Sequence, residues 1–338
     1  MKAVVWHGDE RFSVEDVPQP VARYGQVIVQ VEAAAVCGSD YHLADFGATP
    51  PLIPGHEAAG TVVSVADGAT GVRVGQRVAL DPVQRCGECW CCRHSVPHLC
   101  TNCRHLGDRQ TPGAWAQFVA IDAANAHPLP DNVGFAAGSL TEPAAVCYES
   151  FQRAGLRKGD CVLIIGDGPF GFLHAQLART LGAGKIVLAG HYDERLERIV
   201  RATGAVGCNT HRQALSSVLA QEMGAPGVDI AIEATGCAAS AIAGIEALRP
   251  RGTIVLFSYV WQPQPLPMGR IHMREINLLG SCRSLAGYGP CLDLMGKGRI
   301  NTAALLDIQA PLADCSDIIS RLKSDKRHVF KAVFRPQG

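Results

Sequence analysis

Apolar and polar positions alternate in short runs through the first part of the chain. Residues 2–6, 12–17 and 26–34 read as strands, with Pro18, Pro20 and Gly25 between them. Residues 59–65 and 76–80 continue the pattern, separated by the glycine-bearing pairs Asp67-Gly68 and Val74-Gly75. A period of two, broken this often by turn formers, predicts a small antiparallel β region. Residues 113–119 read as a further strand returning to it, and residues 136–153 carry helical spacing.

From Asp160 the pattern changes. An apolar strand at 161–165 leads into Gly166-Asp167-Gly168-Pro169-Phe170-Gly171, then a helical run at 172–181 and a second strand at 185–189. Strand and helix alternate again at 205–223, 228–233 and 251–258. That alternation predicts an α/β doubly wound parallel sheet of the Rossmann type. A lone Gly-x-Gly-x-x-Gly is a weak signal, but here it closes a strand and opens a helix, where backbone amides can approach a pyrophosphate. Gly166, Gly168, Pro169, Phe170 and Gly171 are therefore candidate dinucleotide-binding residues.

Composition narrows the classes. The 338 residues favour two domains of about 150 residues each. With 47% apolar residues, two buried cores are within reach. Zero net formal charge and the absence of a basic block exclude the broad electrostatic footprint of a nucleic-acid partner or of an anionic membrane partner. No stretch reaches the roughly 18 apolar residues of a membrane span, and the start turns charged before a signal segment develops, so a cytoplasmic protein is expected. The fourteen cysteines then point to metal or to buried thiols rather than to structural disulfides.

Four of those cysteines are spaced Cys-x2-Cys-x2-Cys-x7-Cys, at Cys86, Cys89, Cys92 and Cys100. Four thiolates so close in sequence suit one tetrahedral zinc with no vacancy, which is a structural site. Cys91 and Cys103 are surplus, the spacing favouring Cys92 over Cys91. His94, His98 and His105 read as solvated loop residues. A redox-active cysteine cluster is the weaker reading, because no thioredoxin-like strand and helix accompanies it.

A second donor set is dispersed: Cys37, within Val36-Cys37-Gly38-Ser39-Asp40-Tyr41-His42; His56 and Glu57, within Pro54-Gly55-His56-Glu57; and Glu142, within Thr141-Glu142-Pro143. A thiolate, an imidazole and a carboxylate leave one zinc position open for water or substrate. Ser39 and His42, beside the thiolate, are groups that could carry a proton away from an alcohol. Taken alone, Glu142 reads equally well as a carboxylate near a helix N-terminus.

The joint pattern resembles the zinc-dependent medium-chain alcohol dehydrogenases, in particular their polyol (sorbitol-like) and threonine dehydrogenase branch, over nearly the whole chain. The resemblance implies a mainly antiparallel, GroES-like catalytic domain at 1–150 with a structural-zinc lobe at 86–103. It further implies an NAD(P)-binding Rossmann domain at 151–282 and a return to the catalytic domain at 283–338. It also implies two zinc ions per chain, and Glu142-Pro143 matches the position where this branch carries a glutamate and others a cysteine. The catalytic zinc would be held by Cys37, His56 and a carboxylate, with Glu57 and Glu142 left as alternatives for the direct ligand. That zinc would act as a Lewis acid on a substrate oxygen while hydride passes to or from nicotinamide, and Ser39 would hand the alcohol proton towards His42. The implied partner is a small alcohol or ketone: a secondary alcohol, polyol, sugar, aminocyclitol or amino-alcohol. A homodimer or homotetramer is implied as well. A zinc-independent reductase of the same superfamily and a non-catalytic nucleotide-binding protein are the rival readings, the first disfavoured by the intact ligand set.

Cofactor choice turns on the end of the second Rossmann strand, where NAD enzymes usually carry an acid for the ribose hydroxyls. Here that position is Gly190, followed by His191 and Tyr192 with Arg195 near, and Asp193 reads as a helix N-cap. A glycine leaves room for a phosphate, so NADP is favoured over NAD, although His191 and Arg195 read equally as solvated surface groups. Lys331 lies in a closing strand at 330–334, either near the cleft or as a strand-edge lysine. Residues 259–268, around Trp261, read as a loop bordering the cofactor or a subunit contact.

Overall fold

Strand Gln26–Ala35 is the axis of the first unit. It pairs antiparallel with Glu57–Val65, Phe118–Asp122 and Lys331–Phe334. Arg77–Leu80 and Ala126–Pro128 extend the sheet on one side, and Leu306–Ala310 extends it on the other, parallel to Lys331–Phe334. Val27, Val29 and Val31 of the axis lie in one apolar core with Val62, Val78, Leu80, Trp115 and Phe334. All but Leu80 are β-branched or aromatic residues, which fit a pleated, buried surface. Because Lys331–Phe334 is paired on both sides, Lys331 is not a strand-edge residue.

The computed structural model describes residues 1–222, 227–259 and 265–338. Trp261, and Met223 at the end of one expected strand and helix pair, lie outside the described residues. The chain divides into two units, Met1–Ala145 with Ser284–Gly338, and Val146–Arg283.

Two elements of the first unit differ from expectation. The strand expected at 113–119 starts only at Phe118, because Gly113, Ala114 and Trp115 spend their N–H groups on the carbonyls of Ile53, Gly55 and Pro54, at 2.7, 2.8 and 2.9 Å. Gly55 permits this approach: its φ is +94°, and a Cβ there would lie 2.2 Å from the Trp115 ring. The expected helix at 136–153 is two helices, Phe135–Ser139 and Thr141–Ala154. Around the break, the Ser139 and Thr141 hydroxyls donate to the carbonyls of Ala136 and Gly138, in competition with the helical ladder.

The second unit is a six-stranded parallel sheet. Its order is Val206–Asn209, Ile186–Gly190, Val162–Ile165, Val228–Glu233, Leu248–Leu256, Asn277–Gly280. Numbered along the chain this is 3-2-1-4-5-6, the doubly wound dinucleotide-binding order. Val162–Ile165 is buried throughout, as a central strand covered on both faces must be. Helix Pro169–Thr180 follows directly from the glycine turn.

Candidate active site

Cys37, His56 and Glu57 come together: one ligand atom from each lies within 4.8 Å of the others. Cys37 follows strand Gln26–Ala35 and caps the short 3-10 turn Gly38–Tyr41, while His56 immediately precedes the neighbouring strand, which Glu57 opens. The antiparallel pairing of Ala35 with Glu57 therefore brings the two segments side by side. Asp40 ties them together, a role the sequence reading did not assign to it. It is 1% exposed; Oδ2 accepts from the Cys37 N–H at 2.8 Å, and Oδ1 lies 3.1 Å from His56 Nδ1. A carboxylate behind a metal-binding imidazole fixes its tautomer and ring orientation. Burial, the largest single effect, would push the His56 pKa down; the Asp40 charge and hydrogen bond, with Cys37, hold it well above its ordinary value.

Lys331 is the second residue whose role emerges only in the fold. Its ammonium donates to Glu57 Oε1 and Oε2 at 2.5 and 2.7 Å and to the Val36 carbonyl at 3.0 Å. Burial opposes its charge, but Glu57, Cys37 and Asp40 raise its pKa above the usual lysine value. Glu142 is outside the tight donor group and only partly buried. Burial lifts its carboxyl to about 7, with His56 opposing and Glu57 adding to the rise. One carboxylate is thus paired through both oxygens with a buried lysine, and the other has its pKa raised to about 7.

Ser39 is half-buried within the turn after Cys37. The bond between it and His42 is main chain, from the His42 N–H to the Ser39 carbonyl at 3.0 Å. The His42 ring is exposed and its Nδ1 faces Asp45 at 3.2 Å.

Cys86, Cys89, Cys92 and Cys100 form the second donor group, with sulfurs 3.5 to 3.7 Å apart along the contacts Cys86–Cys100, Cys89–Cys92 and Cys89–Cys100. Cys91 is not a member of it. The paired segments Val83–Gln84 and Arg104–His105 close the lobe's base. The three neighbouring histidines do not share one environment. His94 is exposed and stacked on Trp90, whereas His98 is buried at 3% exposure, contrary to its expected solvation. His105 is half-buried, its ring centroid 5.5 Å from that of His56.

In the second unit the glycine turn has the form a pyrophosphate needs. Gly166 has φ +129°, and a Cβ on Gly171 would stand 1.8 Å from the Gly166 carbonyl oxygen, so the helix starts tight against the strand. A Cβ on Gly168, the N-cap, would meet no protein atom nearer than Arg195 Nη1 at 3.9 Å, which leaves the backbone accessible. Pro169 takes the first helical position, where its missing N–H removes no helical bond. This cradle fits a dinucleotide.

The end of the second strand departs from expectation in three respects. A Cβ on Gly190 would lie 2.5 Å from both Cβ and Oδ2 of Asp167, so the room expected there is filled by Asp167. Asp193 falls in the first turn of helix Asp193–Thr203, whose N-cap is Tyr192. Arg195 is buried at 9% exposure, while His191 is exposed.

Two family descriptions match the sequence: the alcohol dehydrogenase GroES-like domain over residues 23–131, and the zinc-binding dehydrogenase domain over residues 169–295. The sorbitol dehydrogenase of Bombyx mori is 27% identical over 331 residues, covering 95% of each chain. A zinc-binding dehydrogenase from Sinorhizobium meliloti 1021, solved bound to NADP, superposes with a TM-score of 0.93 at 27% identity and 99% coverage of both chains. An alcohol dehydrogenase from E. coli CFT073, solved with NADH, gives a TM-score of 0.93 at 26% identity and the same coverage. The chain belongs to the zinc-dependent medium-chain alcohol dehydrogenase family, with its GroES-like and Rossmann domains. It is accordingly an oxidoreductase that uses zinc and a nicotinamide dinucleotide.

Proposed function

We propose that the enzyme interconverts a secondary hydroxyl of a polyol or sugar and the corresponding ketone. The observation that carries this reading is the convergence of Cys37, His56 and Glu57 within 4.8 Å, in a chain similar over 95% of its length to a sorbitol dehydrogenase. Cys37, His56 and a carboxylate from Glu57 or Glu142 would hold the catalytic zinc, which would supply Lewis acidity towards the substrate oxygen. The chain's own residues do the rest. Asp40 orients the imidazole, Lys331 fixes both oxygens of Glu57 in place, and Ser39 receives the hydroxyl proton and passes it towards His42. Glycines 166, 168 and 171 seat the pyrophosphate that orients the nicotinamide. Cys86, Cys89, Cys92 and Cys100 would hold a second, structural zinc.

We place the enzyme in the cytoplasm on the reading that its fourteen cysteines serve metal sites and buried positions rather than disulfides; no helix among the described residues is long and apolar enough to cross a membrane. The working form proposed is a homodimer or homotetramer, to be read from light scattering.

A panel of polyols, sugars, simple secondary alcohols and amino-alcohols, followed at the nicotinamide absorbance band with NAD and NADP separately, tests the reading. Turnover of polyols, lost on chelation and restored by zinc, is the expected result. Full activity after complete removal of the catalytic metal overturns the zinc chemistry, and turnover confined to amino-alcohols such as threonine overturns the substrate class.

A further inference from the structure

Asp167 sits in the glycine turn, at a position that the Gly-x-Gly-x-x-Gly pattern leaves open to any residue, yet its carboxylate occupies a specific place. Oδ2 accepts from the backbone N–H groups of His191 and Tyr192 at 2.7 and 2.8 Å. Those amides follow the end of strand Ile186–Gly190, so the carboxylate of the first strand's turn is moored at the tip of the second strand. The mooring explains Gly190, since any side chain there would fall on Asp167, with contacts of 2.5 Å. The two positions are complementary: the strand end gives up its side chain, and the glycine turn puts a carboxylate in the vacated space.

That space is where a dinucleotide fold reads the adenosine ribose. An acid at the strand tip accepts from the ribose hydroxyls and repels a 2′-phosphate; a site lacking one admits the phosphate. Asp167 is 8% exposed and its Oδ2 is engaged by two amides, while Oδ1 faces Arg195 Nη1 at 3.9 Å, beyond hydrogen-bond reach. One oxygen is fixed by the backbone and the other retains accepting capacity. Arg195, the cation that would otherwise welcome a 2′-phosphate, is buried with its charge beside this carboxylate. We infer that Asp167, supplied by the glycine turn in place of a residue at the strand end, is the ribose-reading acid and makes this enzyme select NAD over NADP. The inference rests on the family's use of a nicotinamide dinucleotide, and not on which alcohol is oxidised.

The test is binding without substrate, so failure of the polyol reading leaves it unaffected. NADH and NADPH are titrated separately into the zinc-loaded enzyme, and binding is followed by nicotinamide fluorescence. NADH should bind at least about tenfold more tightly, the size expected for hydrogen bonds to a charged group. Asp167→Asn should weaken NADH and strengthen NADPH, collapsing the ratio. The exchange Asp167→Gly with Gly190→Asp, which removes the obstructing Cβ and moves the acid to the strand end, should restore the preference for NADH; a purely structural role for Asp167 would not. If Asp167→Asn fails to fold, the wild-type ratio and the exchange variant still decide. A wild-type enzyme that binds NADPH as tightly as NADH, or a ratio unmoved in Asp167→Asn, overturns the assignment.

Discussion

Lys331 donates to both carboxylate oxygens of Glu57, at 2.5 and 2.7 Å, with the lysine 3% and the glutamate 0% exposed. Removing one partner of a buried ion pair strands the other charge, at a cost of about 3–5 kcal/mol. Lys331→Met should therefore lower stability by that order in denaturant titration. The double variant Lys331→Met with Glu57→Gln should lose clearly less than the two single losses combined, because neither charge is left alone.

Asp40 holds the segments of Cys37 and His56 together from behind. Partners of this kind are worth about 10–100-fold in metal affinity. Asp40→Asn should retain the fold, by circular dichroism, while catalytic zinc is lost to a competing chelator at a correspondingly lower chelator concentration. Structural zinc should be unaffected.

The cysteine lobe makes a one-residue prediction. Cys92→Ser should lose about one zinc per chain by metal analysis, since a tetrahedral closed site needs all four thiolates. Cys91→Ser should retain the full complement.

His174, in the core of the second unit, supplies the pH dependence. Its Nδ1 lies 2.7 Å from the Phe170 carbonyl, the Ser150 hydroxyl is 2.8 Å from Nε2, and Phe151 and Phe257 meet its ring edge to face. Burial, offset in part by the bond to Phe170, lowers its pKa to about 4. The unfolded chain binds this proton at about pH 6.5 and the folded chain only near 4, so the unfolded state carries more protons in between. Stability from this group is full above about pH 6.5 and falls by about 3 kcal/mol as pH drops to about 4. Hydrogen exchange at the amides of Val162–Ile165 should show that decline, and His174→Gln should flatten it.

What could be read along the chain was local. The cysteine lobe is written within fifteen residues, from Cys86 to Cys100, and the glycine turn within six, so spacing alone located both. Cys37 and His56 were legible because their neighbours form recognisable short motifs. Asp40 and Lys331 were not: an aspartate after a serine and a lysine opening a strand acquire their roles only when Ala35 pairs with Glu57 and Val333 pairs with Ala35. The late start at Phe118 has the same origin, since the residues before it bond to a loop some sixty positions earlier. Asp167 escaped because the motif is defined by its glycines, while what Asp167 does is set by the amides of His191 and Tyr192 on the adjoining strand.

The distance of Lys331 from Glu57 along the chain, 274 residues, has a consequence during synthesis. While the polypeptide is still growing on the ribosome, the glutamate has already emerged and its counter-charge has not. Strands Gln26–Ala35 and Glu57–Val65 can pair early, but the carboxylate at their junction has no lysine partner until the last strand slots in beside Ala35. A nascent chain stalled short of residue 331 therefore lacks both the strand that pairs beside Ala35 and the counter-charge of Glu57.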